Sequence, residues 1–380
     1  MYDISDYGHM IAPGVRMKAY SDALRQAVKP GVVVLEVGTG TGFFAALACK
    51  LGARRVFAIE PDDVIEVARE TALANGYADR IEFIQDHSTR VTLPERADVM
   101  ISDIRGRLPL FQKHIPTIAD ARRRLLTPGA VLIPQSDVIW AAVVEASKEY
   151  NRLVAPWDEI GHGLYLSASR RFVVNSSRKG KTTREQLLVE PQCWARLDYA
   201  TIEEPDVSGM LSWTVERAGI GHGLDIWFDA TLAEGIGFSN APGEDELIYG
   251  TVFFPWLEPV SLDIGDRISV VLSADLVGED YVWRWDTRVL DLKDRVKAEF
   301  KQSTLYGVPL SRGRLRKRAD NYIPALSDSG AIDGFILSLM NGHTSQGDIA
   351  RRVAERFPAR FARWQDALTR VGELSQEYSK

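Results

Sequence analysis

The chain has 380 residues, of which 45% are hydrophobic and 26% charged, and its formal net charge is −6. That length holds two or three domains of ordinary globular composition. The acidic balance argues against a nucleic-acid-binding surface as the main feature, two cysteines build neither a disulfide framework nor a zinc cluster, and no run of 18 apolar residues marks a membrane span. The N-terminus, Met1-Tyr2-Asp3-Ile4, lacks a basic region followed by an apolar run, so no secretory leader is expected and a cytoplasmic protein fits. The basic runs Arg122-Arg123-Arg124 and Arg312 to Arg318 read as solvated helix faces, and no metal site is expected.

Residues 1–30 read as helical and amphipathic, with Met10, Val15, Tyr20 and Leu24 forming an apolar stripe. Strands follow at 32–37, 55–60, 81–85, 97–102 and 130–134, with helices at about 43–51, 62–74 and 114–126. This alternation predicts a mostly parallel sheet covered on both faces. Pro128-Gly129 breaks the last helix before its strand. From 136 to about 290 the pattern changes to short strand-like runs, such as Val138 to Val143, Leu224 to Phe228 and Arg267 to Leu272. Separated by Gly, Pro, Asn and Asp, they predict an antiparallel domain. Residues 155–182, rich in Gly, Ser and Arg, read as an excursion from it, and 320–380 is helical again. Three parts are therefore expected: an α/β Rossmann-like domain over 1–135, an antiparallel β-barrel-like domain over 136–300, and a helical module over 301–380.

Within the first part, Val33-Val34-Leu35-Glu36-Val37-Gly38-Thr39-Gly40-Thr41-Gly42 is a buried-strand run ending in an acid and a glycine loop. A helix follows, and the next strand ends at Glu60, 20 residues past Gly40. Such a unit holds an adenosine-containing cofactor: glycines let the backbone approach the ligand, and the second acid accepts the ribose hydroxyl hydrogens. A dinucleotide fingerprint needs glycine at position 43, where Phe43 stands. The pattern acid-x-G-x-G-x-G resembles that of S-adenosylmethionine-dependent methyltransferases instead. S-adenosylmethionine is the expected cofactor, held by Glu36, Gly38, Gly40, Gly42 and Glu60.

A cofactor domain of this kind followed directly by a barrel-like domain resembles the protein arginine methyltransferases over about residues 5–300. The segment Tyr7-Gly8-His9-Met10 with Arg16 and Tyr20 is similar to that family's first helix. The resemblance makes Arg16 the ligand of the cofactor carboxylate, a task suited to a guanidinium fork. It places Gln85-Asp86-His87-Ser88 at the adenine, with Asp86 or Ser88 as side-chain acceptor and His87 either a contact or a plain loop residue. The family's loop after the fourth strand carries two glutamates that grip the substrate guanidinium. Here it reads Ser102-Asp103-Ile104-Arg105-Gly106-Arg107-Leu108-Pro109-Leu110-Phe111-Gln112. Asp103 stands at the first glutamate and Gln112 at the second, and Arg105 and Arg107 add positive charge. The family's threonine-histidine-tryptophan loop aligns with Glu246-Leu247-Ile248, so Leu247 replaces its histidine. Fold and cofactor carry over; the arginine substrate does not.

Asp103 is the expected acid or base beside the acceptor, or alternatively a loop cap. His9 and Tyr7 approach from the first helix, or else serve helix packing, and His114 is read as a solvated side chain near a helix start. Residues 155–182, including Trp157-Asp158-Glu159-Ile160-Gly161-His162-Gly163, fall at the family's dimerisation arm, so a homodimer is expected. The segment from Gly330 to Ala350 resembles the small winged-helix peptide-recognition modules of modified-peptide pathways, such as the pyrroloquinoline quinone peptide chaperone, with Thr344 or Ser345 capping its second helix. Three functions stay open: methylation of a peptide or protein side chain, with nitrogen favoured; methylation of a small amine such as free arginine; and a non-catalytic scaffold that binds S-adenosylmethionine. Neither nucleic acid nor a membrane is an expected partner.

Overall fold

Five parallel strands form the first layer of the computed structural model, which describes residues 3–158 and 164–379. In chain order the elements are α1 (Ile4–Ile11), α2 (Val15–Ala27), β1 (Val33–Val37), α3 (Phe43–Lys50), β2 (Arg55–Ile59), α4 (Ile65–Ala74), β3 (Ile81–Ile84), β4 (Ala97–Ser102), α5 (His114–Arg124) and β5 (Leu126–Ile133). The strand order is β3-β2-β1-β4-β5, and every pairing is parallel. All five residues of β1 are buried. A strand covered on both faces is mostly apolar, which is why β1, β2 and β4 read as near-continuous runs in the sequence, with Glu36 the buried exception in β1. The order reverses between β1 and β4, so the crevice beyond their carboxyl ends is the natural ligand position. The loops that leave there are the glycine loop and the segment starting at Asp103.

Two local features differ from the sequence reading. Residues 1–30 form two helices, because Pro13 forces Ala12 into an extended conformation (ψ 141°). Pro128 and Gly129 lie inside β5 and do not precede it; the register against β4 shifts along this stretch. Such an irregularity accommodates a residue with no N–H to give the ladder.

The chain continues through β6 (Ser136–Val144), α6 (Ser147–Asp158), α7 (Arg170–Val173), β7 (Arg178–Gly180), β8 (Gln192–Asp198), β9 (Val207–Thr214), β10 (Gly219–Ala233), β11 (Ile236–Ser239), β12 (Thr251–Leu262), β13 (Arg267–Val277), β14 (Asp280–Leu290) and β15 (Val296–Ser303). One antiparallel sheet runs β7-β12-β10-β6-β8 with β11 on β10, and another runs β15-β14-β13-β9. The barrel-like domain is thus built of two sheets around an aromatic core. Phe254 packs 5.2 Å from Trp285, and Trp256 packs 6.1 Å from Phe300, centroid to centroid. Trp285 Nε1 and Gln302 Nε2 both donate to the Pro255 carbonyl, at 3.1 and 3.0 Å, pinning the sheets together. β15 carries the antiparallel part to Ser303, past the boundary of 300 read from the sequence. The excursion is also shorter than 155–182, since β7 is the edge strand of the larger sheet. Of the segment Trp157 to Gly163, residues 159–163 lie outside the described residues.

The chain divides into two units, Met1–Pro309 and Leu310–Lys380. The second consists of α8 (Arg312–Arg316), α9 (Asp328–Leu339), α10 (Gln346–Arg356) and α11 (Trp364–Tyr378). Ile336, Val353 and Val371 are fully buried in its own core. Ser345 caps α10, its hydroxyl accepting from Asp348 N at 3.2 Å. Arg370 grips Asp333 with two parallel bonds of 2.8 and 2.7 Å. Among its described residues this unit contains no strand, and so no wing; its glycine turn, serine cap and apolar helices are those expected, without the hairpin of a winged helix. Among all described residues no helix is long and apolar enough to cross a membrane.

Candidate active site

The glycine loop leaves β1 with Gly38, Gly40 and Gly42 at φ values of 78°, 52° and 80°. Side-chain-bearing residues rarely adopt that region. A Cβ on Gly40 would stand 2.8 Å from the Tyr7 ring, and one on Gly42 would stand 2.8 Å from the Ala68 side chain. Gly40 thus lets α1 close over the loop, and Gly42 lets α3 pack against α4. The two buried acids flank the loop. Glu36 accepts from Thr39 Oγ1 at 2.6 Å. Glu60 Oε2 accepts from Gly40 N at 3.0 Å and its Oε1 from Asp62 N at 3.2 Å. Burial pushes the Glu36 carboxyl up to about 8 and raises that of Glu60.

A cavity of about 550 Å³ opens above this loop. It brings together Arg16, Glu36, Gly38, Gly40, Glu60, Asp86 and His87 with Asp103 and Gln112. Two expected residues fall outside it. Gly42 faces α4 and acts through packing. His9 is exposed on α1, while Tyr7, Met10 and Ile11 of the same helix line the space. Asp86 accepts from His87 N at 2.7 Å, which shapes the loop at the far end. The fit to an adenosine-containing cofactor is good. A glycine backbone lies open to the cavity, and Glu60 uses two of about four acceptor positions, leaving the rest for ribose hydroxyls. A second cavity, of about 590 Å³, lies beside Trp140 and Trp227 of the six-stranded sheet. Slightly larger, it contains none of the residues just described and is not at a strand switch point.

The other end of the first cavity is a buried charge network. Arg16 Nε donates to Asp103 Oδ2 at 2.9 Å and to the Tyr249 hydroxyl at 2.8 Å, its second nitrogen also pairs with Asp103 Oδ2, and its third donates to the Met10 carbonyl at 2.8 Å. Tyr249 in turn donates to Asp103 Oδ2 at 2.6 Å. Arg105, wholly buried, places Nε 3.3 Å from Asp103 Oδ1. It donates to Asp137 Oδ1 at 2.8 Å and to the Tyr20 hydroxyl at 2.9 Å. Burial opposes ionisation of Asp103, but Arg16 and Arg105 outweigh it and hold its carboxyl below the ordinary range. Gln112, exposed at φ 43°, gives the rim of the cavity a neutral amide.

Arg16, expected at a cofactor carboxylate, lines the cavity and pairs with Asp103. Two other readings change. His114, expected to be solvated, is 1% exposed, because its side chain turns inward toward Tyr199. Arg105, read as added positive charge on this loop, is a wholly buried cation paired with Asp137 and Asp103. Tyr249, Asp137 and Tyr199 have no counterpart among the sequence candidates. One signal was available for Asp137: an acid beside the apolar run Val138 to Val143 has to find a cation.

Comparisons with known proteins agree with this geometry. The family model described as "Ribosomal protein L11 methyltransferase (PrmA)" matches residues 20–137, the parallel-sheet part. The probable protein arginine N-methyltransferase 6 of Arabidopsis thaliana is 24% identical over 335 residues, covering 84% of this chain and 76% of that protein. Protein arginine N-methyltransferase 2 of Mus musculus is 30% identical over 252 residues, covering 62% of this chain and 56% of the relative. The crystal structure of Arabidopsis thaliana protein arginine methyltransferase 10 superposes with a TM-score of 0.70 at 23% identity, over 79% of this chain and 97% of that one. The Trypanosoma brucei PRMT1 enzyme–prozyme complex with AdoHcy superposes at 0.73 and 20%, over 79% and 98%. The fold is that of the protein arginine methyltransferases. The methyltransferase reading of the glycine loop and the two-part architecture both agree with these relatives.

Proposed function

We propose that this chain is an S-adenosylmethionine-dependent methyltransferase that modifies a side chain of a peptide or protein through an acceptor site unlike that of its arginine-methylating relatives. The observation that carries the reading is the placement of Glu36, Glu60 and the open glycine backbone at the β1–β4 switch point, in one cavity with Asp103. S-adenosylmethionine supplies an activated methyl group when bound. Glu60 would hold its ribose, Asp86 and His87 its adenine, and Arg16 its carboxylate, released in part from Asp103. Asp103 then keeps Arg105 and Tyr249 as partners.

The altered acceptor end supports a substrate other than arginine. Gln112 supplies no charge, and the carboxylate of Asp103 is already shared between two internal guanidiniums. Peptide or protein as the acceptor follows from the likeness to proteins that bear the name protein arginine N-methyltransferase. The helical unit after Pro309, with its own core, is the candidate for recognising a peptide. A homodimer is part of the proposal: Leu164, Tyr165 and Leu166, in the segment read as the arm, are 63%, 84% and 42% exposed. Consecutive exposed apolar residues suit a partner surface.

The test is methyl transfer from labelled S-adenosylmethionine to a proteolysed cell extract, with labelled peptides sequenced. Label on a side chain is the expected result. Cofactor binding with no label on peptide, while a small amine is methylated, would move the assignment to metabolite chemistry.

A further inference from the structure

His114 opens α5 at the inner wall of the cavity. Its Nε2 lies 3.0 Å from the Tyr199 hydroxyl. That hydroxyl gives its only hydrogen to Asp137 Oδ2, so it can only accept from the imidazole. Nε2 therefore carries the ring hydrogen, and Nδ1 carries a lone pair. Nδ1 is buried and has no hydrogen-bond partner among the described residues. Buried acceptors are almost always paired, so an unpaired one calls for a partner, and at the wall of this cavity a ligand can supply it. Ser102 Oγ, on the same cavity, is buried and has no partner among the described residues either.

The charges around it limit what that ligand is. Among the described residues Arg16 and Arg105 match the charges of Asp103 and Asp137, so the acceptor end carries no net negative charge, although Asp103 Oδ1, 3.3 Å from Arg105 Nε, accepts no hydrogen bond. A guanidinium or ammonium brought here would meet Arg105, which stays between Asp103 and Asp137 when Arg16 turns to the cofactor carboxylate. An uncharged group with one hydrogen to give matches both the orphan lone pair and the neutral surroundings.

We propose that Nδ1 of His114 receives the hydrogen of an uncharged O–H or N–H nucleophile, and that Tyr199 and Asp137 position the imidazole and carry the proton inward. This rests on the methyltransferase reading and names the acceptor class of the same site, replacing the cationic nitrogen that the family resemblance favours. In the step, a lone pair of the acceptor forms the bond to the methyl carbon while the carbon–sulfur bond breaks with its pair kept on sulfur. The acceptor proton passes to Nδ1, the Nε2 hydrogen to Tyr199, and the Tyr199 hydrogen to Asp137. Burial, then the nearby Arg105, push the His114 imidazole down to about 3, so Nδ1 stays available and does not retain the proton. Burial, opposed by Arg105, pushes the Asp137 carboxyl up to about 6, which suits a transient proton sink near neutrality.

The test uses the full chain labelled with ¹⁵N-histidine and saturated with S-adenosylhomocysteine, binding being verified by calorimetry on the same sample. The His114 signals are assigned by their loss in His114→Asn. The expected wild-type spectrum shows hydrogen on Nε2 and none on Nδ1, and Tyr199→Phe loses that preference. Phenol, as a neutral O–H probe, is expected to move the Nδ1 signal, and methylguanidinium is not. Hydrogen on Nδ1 in the wild type would overturn the proposal, as would an Nδ1 signal that moves with methylguanidinium or with neither probe. Absence of S-adenosylhomocysteine binding would instead bring down the cofactor reading, a failure the calorimetry reports separately.

Discussion

Arg16 and Asp103, 87 positions apart, form a buried ion pair that ties the second helix to the loop after β4. It joins the residue expected to hold the cofactor's carboxylate to the residue expected to meet the acceptor. The two ends of the reaction are therefore coupled through one contact, and any cofactor contact made by Arg16 alters the surroundings of Asp103.

Replacing Asp103 tests that coupling. Asp103→Asn leaves Arg16 and Arg105 facing each other without their shared anion. Breaking a buried pair by removing one partner costs about 3–5 kcal/mol. Urea unfolding at pH 7 is expected to show a loss of that order. A midpoint within experimental error of the wild type would mean that the pair is dispensable.

Glu60→Ala is expected to weaken S-adenosylmethionine binding by tenfold or more, because charge-assisted hydrogen bonds contribute about 1.5–3 kcal/mol. The same change frees the Gly40 amide, so part of the loss is loop ordering. Equal affinity in variant and wild type would remove Glu60 from the ribose.

The buried imidazole gives a signed pH effect. His114 is held neutral in the fold, its pKa lowered from 6.5 to about 3. A depressed folded pKa contributes stability that is complete above 6.5 and lost as pH falls toward 3, at up to about 1.4 kcal/mol per pH unit. Glu36, raised to about 8, acts in the opposite sense: its contribution is complete below about 4.3 and lost as pH rises toward 8. Comparison of wild type with His114→Asn at each pH isolates the histidine. The variant is expected to lose less stability between pH 6.5 and 4, and parallel curves would show that the imidazole is charged in the fold.

Ile336, fully buried in the core of the C-terminal unit, tests whether that unit has a stability of its own. Ile336→Ala is expected to cost about 2–5 kcal/mol. Hydrogen exchange should report the loss in α9 to α11, with β1 and β4 amides unaffected. An equal loss in both places would show that the two units unfold together.

How much of this was legible in the sequence depended on distance along the chain. Gly38, Gly40, Glu36 and Glu60 were readable because loop, helix and second strand follow one another in a local order that the cofactor fold imposes. The strands β1, β2 and β4 were readable because burial makes them mostly apolar runs. Tyr249 reaches Asp103 from 146 positions away, and Tyr199 reaches His114 from 85. Pairings of that range come from how the antiparallel sheets are placed against the cofactor sheet, and no periodicity encodes them. His114 was misread for a related reason. Histidine is usually exposed or half-exposed at a helix start, and only Tyr199 behind it makes burial affordable. Gly42 and His9 were assigned by register with a motif, but in the fold the Gly42 backbone packs against Ala68 of α4 and the His9 side chain faces solvent.

Calorimetric titration with S-adenosylmethionine of the wild type and of Gly40→Val tests the central claim most directly. Gly40 sits at φ 52° with the Tyr7 ring where a Cβ would go, so valine cannot keep the loop in place. The account predicts one cofactor bound per chain by the wild type and binding lost in the variant, with the fold retained by circular dichroism. A wild-type chain that binds no S-adenosylmethionine, or a variant that binds it equally well, would contradict the account.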